Sequence, residues 1–156
     1  MLDTLIKIGS KAPGFELPSH NGDPIRLDKY AGEKNVVLSF HIYSFTGGWT
    51  HQVSSFRIHN SGFEDKNTQV LGISCDSRPS QVAFGGSLGS IPYPILSDFY
   101  PHGDVSKAYG VFDNDRGTPK RAIIIIDTQG TVRFSKLYDN ATDLDPRDIL
   151  AEIDNI

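Results

Sequence analysis

Five consecutive residues, Ala122-Ile123-Ile124-Ile125-Ile126, constrain this chain more than any other feature. The run is apolar and mostly β-branched, and it is far too short to cross a bilayer. It predicts a strand over Arg121–Asp127 that is buried on both faces, and hence a sheet covered on both sides. Thr128-Gln129-Gly130 then turns the chain into Thr131-Val132-Arg133-Phe134-Ser135. The two strands are expected to pair antiparallel across Asp127-x-x-Gly130.

Two other segments have the same buried character. They are Asn35-Val36-Val37-Leu38-Ser39-Phe40-His41 and Thr68-Gln69-Val70-Leu71-Gly72-Ile73-Ser74-Cys75. Between them, Trp49, Val53 and Phe56 fall at i, i+4 and i+7, which predicts a helix opening at Trp49. Asn60-Ser61-Gly62 is expected to end or interrupt it. A second helix is expected from Pro79 to Leu88, capped by Asp76 or Ser77. Ile91 to Asp98 contains two prolines and reads as extended. A short helix follows near Val105–Tyr109. A last helix runs from Asp145-Pro146 to about Ile153, with Ile149, Leu150 and Ile153 on its inner face. Near the start, Asn21-Gly22 separates Phe15-Glu16-Leu17 from Pro24-Ile25-Arg26-Leu27, which predicts a hairpin. The order implies an α/β fold with a βαβ unit and an antiparallel edge pair, in one domain spanning residues 1–156.

Composition narrows the function classes. A net charge of −4 without a basic cluster argues against nucleic-acid binding. Cys75 is the one cysteine, so no internal disulfide, Cys-x-x-Cys pair or cysteine-zinc cluster can form. The five histidines show no metal-ligand spacing with a carboxylate, although His41 and His51 flank one loop. Gly47-Gly48 does not match a phosphate-binding fingerprint. No cofactor or metal is expected. Met1-Leu2-Asp3-Thr4-Leu5 lacks the basic start and apolar run of a signal peptide. The expectation is a cytoplasmic protein without a membrane span.

Several segments taken together resemble the peroxiredoxin (AhpC/TSA) family. They are Ile8 to Pro18, Leu71 to Ser77, Pro94 to Asp98, Ala108-Tyr109-Gly110-Val111, and Arg121 to Asp127 with Gly130. Pro101-His102-Gly103 is most similar to the one-cysteine alkyl hydroperoxide reductase E subgroup. The resemblance covers about residues 5–155 and implies a thioredoxin-like three-layer sandwich with a central mixed sheet flanked by helices. It also implies association as a homodimer or larger homo-oligomer. The family's Pro-x-x-x-Thr-x-x-Cys motif falls on Ile42 to Trp49. Thr46 and the partner Arg121 are retained, and Trp49 stands in the position of the peroxidatic cysteine. Ile42 replaces the proline and Gln52 an acidic residue common in the subgroup.

In active members a thiolate attacks the peroxide O–O bond, with its pKa lowered by a helix N-terminus and a guanidinium. The threonine and arginine stabilise the oxygens. Thr46 and Arg121 retain groups suited to that role, whereas an indole offers no nucleophile and its nitrogen only donates. Trp49 is expected to fill the pocket, with its ring against Arg121 as a cation–π pair. The resemblance therefore implies a member without cysteine-based peroxidase activity, left with a binding, partner or regulatory role. A hydroperoxide or small anion would be the ligand of the remnant site. The alternative is an active thiol peroxidase working through Cys75, or a variant of an active parent with cysteine at position 49. Changes at Ile42 and Gln52 favour drift over a single substitution. Cys75 itself reads first as a packed residue of the second strand, and Arg121 reads equally as an anion site or as half of an ion pair.

Overall fold

The computed structural model describes residues 4–156. Residues 1–3, part of the N-terminal stretch assessed above for a signal peptide, lie outside the described residues. The chain opens with the expected hairpin, β1 (Glu16–Ser19) and β2 (Gly22–Arg26), with Leu17 opposite Ile25. A 3-10 turn at Leu27–Tyr30 leads to β3 (Asn35–Phe40), α1 (Gly47–Asp65), β4 (Thr68–Ser74) and α2 (Arg78–Ser87). Then come β5 (Ile95–Ser97), α3 (Asp104–Ala108) and a small hairpin of β6 (Phe112–Asp113) and β7 (Thr118–Pro119). β8 (Ala122–Ile126), β9 (Val132–Leu137) and α4 (Pro146–Ile153) complete the chain.

Seven strands form one mixed sheet in the order β2-β1-β5-β4-β3-β8-β9. β3, β4 and β5 are parallel, and β8 runs antiparallel to both β3 and β9. The isoleucine run explains why both faces are covered. Ile123 and Ile125 point into a core with Trp49, Val53 and Phe56 of α1, Phe84 of α2 and Ile149 of α4. Ile124 and Ile126 point into a second core with Leu17, Tyr30, Tyr109 and Val111. Val37 and its neighbours Val36 and Leu38 divide between the same two cores. Alternation along a strand splits even a uniform run between two layers. The result is the mixed central sheet flanked by helices that the resemblance implied.

The caps follow local chemistry. Ser77 accepts from the Ser80 N–H with Pro79 in the first turn of α2, and Asp145 accepts from the Arg147 N–H before α4. The Asp127–Gly130 turn closes with a Gly130 N–H to Asp127 carbonyl bond of 3.0 Å, and the Asp127 side chain takes the N–H groups of Gln129 and Thr131.

Two boundaries differ from expectation. α1 starts at Gly47 and runs through Asn60-Ser61-Gly62 to Asp65. Asn60 is held in the helix by its amide donating to Glu64, and Gly62 faces Leu150 of α4. A Cβ there would lie 3.3 Å from a Leu150 methyl. Helix–helix packing thus keeps a glycine that local propensity alone reads as a stop. The β6–β7 hairpin, too short to leave a periodic signal, was not expected. Among the described residues, no helix is long and apolar enough to cross a membrane.

Candidate functional site

The C-terminal end of β3, the loop 41–46 and the first turns of α1 bring Thr46, Trp49, Gln52 and His41 together, and β8 begins one residue after Arg121. Thr46 is the N-cap of α1 with an extended backbone. Its hydroxyl makes no capping bond and instead donates to the Tyr43 carbonyl at 2.8 Å, while its own carbonyl takes the Thr50 hydroxyl.

Trp49 is fully buried. Its ring lies flat between two others: His41 at 4.1 Å between centroids and 11° between planes, and Phe84 at 3.7 Å and 19°. Phe45 meets the outer ring of this stack edge-on, 5.2 Å from Phe84. The expected Trp49–Arg121 cation–π pair is not formed. Among the described residues the cation–π contacts are those of Lys29, Lys107 and Lys136 with Tyr30, Phe112 and Tyr138. The reason is packing: both faces of the indole are taken by aromatic rings, so no face is left for a guanidinium.

Arg121 is held elsewhere. Its Nε donates to Gln52 Oε1 at 3.2 Å and its Nη1 to the Asp139 carbonyl at 3.4 Å. Its Nη2 lies 2.7 Å from the place a Cβ would occupy on Gly48, so the glycine makes room for the guanidinium. Among the described residues no carboxylate comes within ion-pair distance of it. The ion-pair reading of Arg121 is therefore replaced by a neutral clamp. Burial pulls its pKa down. Gln52 completes the clamp from inside, with its amide donating to Ser39 Oγ at 2.7 Å and the Phe40 carbonyl at 3.2 Å. A glutamine can donate to the β3 end and accept from Arg121 simultaneously, whereas an ionised carboxylate can only accept. A groove of about 390 Å3 opens beside Arg121, lined by Ile42, Pro119, Lys120, Tyr138 and Asp139 among others.

Cys75 does not lie on β4. It follows the strand's last residue, Ser74, and is half-buried. Burial first, and then the neighbouring Asp98 charge, push its thiol up to about 12; the Ser106 hydrogen bond opposes them, Asp76 adds to the rise and Lys107 opposes it. At neutral pH the protonated thiol then predominates. Among the described residues, no group of three His, Cys, Asp or Glu side chains is arranged to hold a metal ion. His41 is buried in the stack, while His51 is exposed on α1.

The importance of His41 and Phe84 was not legible beforehand. Phe84 lies on another helix, and His41 was notable only as a possible ligand. Burial, outweighing a bond to the Ser39 carbonyl, takes the His41 pKa well below 6.5, and burial likewise lowers that of His20, whose Nδ1 accepts the Ile95 N–H. Both rings are neutral in the fold. Unfolding frees them to bind protons below about pH 6.5, so stability present above that pH is lost as pH falls towards the folded-state values. Melting temperature is expected to drop steadily from pH 7 to 5. His41→Gln, which cannot titrate, should flatten that slope by up to about 1.4 kcal/mol per pH unit. An unchanged slope would place His41 in contact with solvent.

The AhpC/TSA family profile matches residues 8–135. The chain is 35% identical over 133 residues to alkyl hydroperoxide reductase E of Mycobacterium tuberculosis, covering 85% of this chain and 86% of that protein. It is also 35% identical over 144 residues to the chloroplastic 2-Cys peroxiredoxin BAS1 of Spinacia oleracea, covering 86% of this chain and 54% of that one. Among solved structures, the peroxidoxin BcpB from Mycobacterium tuberculosis superposes with a TM-score of 0.86 at 30% identity, over 97% of this chain and 98% of that one. Mycobacterium tuberculosis AhpC does so at 0.86 and 26%, over 96% and 92%. With its sheet order, its flanking helices and these matches along most of its length, the chain belongs to the AhpC/TSA family.

Proposed function

We propose that this chain is a peroxiredoxin-fold protein in which Trp49 occupies the position of the peroxidatic cysteine, so that it carries no cysteine-based peroxidase activity and serves a binding or partner role. The observation that carries this reading is the Trp49 ring, fully buried and packed on both faces by His41 and Phe84. An indole has neither an attacking lone pair nor a leaving proton near neutral pH, and this one is enclosed between two stacked rings. Thr46 and Arg121 are the remnant site. Among the described residues no carboxylate pairs with the Arg121 charge, which lies on a groove that Arg116 and Lys120 share with Asp113 and Asp139, and a hydroperoxide or small anion is its proposed ligand. The remaining assignments are one domain over residues 1–156, a cytoplasmic location, and pairing with a second copy. Exposed Tyr43, Phe45, Phe99 and Tyr100 support the last.

The competing reading is a peroxidase acting through Cys75; a relative is named for hydroperoxide reduction. The thiol at about 12 and its carboxylate neighbours weigh against it. The two readings separate in one assay. Purified protein, with hydrogen peroxide or an alkyl hydroperoxide and an excess of dithiol, is expected to show no consumption above the reductant's own background, and Cys75→Ser to behave identically. Turnover that Cys75→Ser abolishes would establish the competing reading instead.

A further inference from the structure

Four buried polar side-chain atoms have no hydrogen-bond partner among the described residues: His41 Nε2, Ser44 Oγ, Trp49 Nε1 and Gln81 Oε1. Buried polar atoms are rarely left so, and a group of them calls for an explanation. His41, Trp49 and Gln81 are each at most 1% exposed. None of the four residues lines the Arg121 groove.

The four belong to one neighbourhood. The Trp49 ring is stacked on His41 and Phe84, and Gln81 precedes Phe84 by one turn of α2. The Gln81 amide donates to Ser74 Oγ at 2.9 Å and to the Leu96 carbonyl at 2.9 Å, which leaves only its Oε1 free. Ser74 sits beside His41, because the His41 N–H donates to the carbonyl of Ile73, the residue before Ser74. The Ser74 hydroxyl donates to Asp76 Oδ2 at 2.8 Å, and the same oxygen takes the Ser44 N–H at 2.8 Å. Stacking, the shared helix α2 and these hydrogen bonds thus link His41, Trp49, Phe84, Gln81, Ser74, Asp76 and Ser44, and the loop leads back to His41.

Their hydrogen-bonding characters are complementary. The indole N–H only donates, and the Ser44 hydroxyl has its proton free. Gln81 Oε1 only accepts. His41 Nδ1 lies 3.3 Å from the Ser39 carbonyl, an acceptor, so Nδ1 carries the proton of the neutral ring and Nε2 is an acceptor. The cluster therefore offers two donors and two acceptors. An anion would meet two acceptors and a cation two donors. A water molecule, with two protons to give and two lone pairs to receive, matches all four.

We propose that His41, Ser44, Trp49 and Gln81 form a binding site for one internal water molecule, which links the β3–α1 loop, α1 and α2. The site is independent of whether the protein reduces peroxides. Its occupant holds Trp49 in register with α2 through the ring's one polar atom, and buried waters with three or four partners are integral parts of folds.

Trp49 is the one tryptophan, so its indole N–H gives a single, self-assigned signal in a 15N-labelled sample. In water-selected NOE and ROE spectra that signal is expected to show a direct cross-peak to a long-lived water. The peak should persist in Ser44→Ala, which removes the hydroxyl that could relay exchange yet leaves three partners. A wild-type spectrum without the peak, or a peak lost in Ser44→Ala, would overturn the proposal. A high-resolution crystal structure gives a second reading. Density is expected within about 3.2 Å of Trp49 Nε1 and Gln81 Oε1, and a direct Trp49–Gln81 or Trp49–Ser44 bond with nothing between would contradict it.

Discussion

Trp49→Ala is expected to lower folding stability by about 3–5 kcal/mol, the range for removing a large aromatic side chain from a close-packed core. The ring is fully buried, and it is the middle layer of a stack that joins His41 at the end of β3 to Phe84 of α2. Removing it exposes one face of each neighbour and leaves a cavity between them. Since small domains are stable by only about 5–15 kcal/mol, the loss is a large part of the total. Trp49→Phe, which keeps a ring between His41 and Phe84, should cost clearly less. Denaturant titration followed by far-UV circular dichroism measures both, since the variants lose the only indole fluorophore. A loss below about 1 kcal/mol for the alanine variant would mean the ring is not the packed centre described here.

Gly110→Ala is the second large effect, expected at about 2–4 kcal/mol. Gly110 has φ +71°, a left-handed conformation unfavourable for alanine, and an added Cβ would lie 1.9 Å from the Thr4 carbonyl oxygen. Backbone cannot swing aside as a lysine tip can. The N-terminal segment would have to lift away, with loss of the Ile6 N–H to Tyr109 carbonyl bond at 3.1 Å and of the buried Ile6 side chain. Gly117 is the control. Its φ of +69° is nearly the same, but a Cβ there meets nothing within 4 Å. Gly117→Ala therefore isolates the conformational cost, about 1–2 kcal/mol. The excess in Gly110→Ala is the cost of the contact with residue 4. Equal losses in the two variants would show that the N-terminal segment does not pack where described.

Much of this architecture is legible in the sequence because the signals are local and strong. The isoleucine run has no alternative to a strand covered on both faces, and Asp127 with Gly130 specifies its turn. Ser77 and Asp145 each stand before a proline where a helix begins. The misread boundary of α1 is different in kind: Gly62 is a helix stop by propensity, and only the approach of Leu150, 88 residues further on, makes it a helix residue. The site divides along the same line. Thr46, Trp49 and Arg121 stand out through a motif. The partners that decide what they do are remote in sequence: Phe84 occupies the indole face that a cation was expected to take, and Gln52 with the Asp139 carbonyl holds the guanidinium. A ring's choice between two neighbours depends on which helix packs over it, and no local pattern encodes that.

In the function proposed above, position 49 supplies no nucleophile while Thr46 and Arg121 are retained. Single-turnover mixing of the reduced protein with one equivalent of hydrogen peroxide, beside its Trp49→Cys variant, tests it most directly. The measurement uses the folded fraction established by circular dichroism. The unaltered protein is expected to leave the peroxide unconsumed on the timescale of seconds and its Cys75 unoxidised by mass spectrometry. The variant, with a thiol in the first turn of α1, is expected to consume it and gain one oxygen at position 49. Rapid stoichiometric consumption by the unaltered protein would contradict the account.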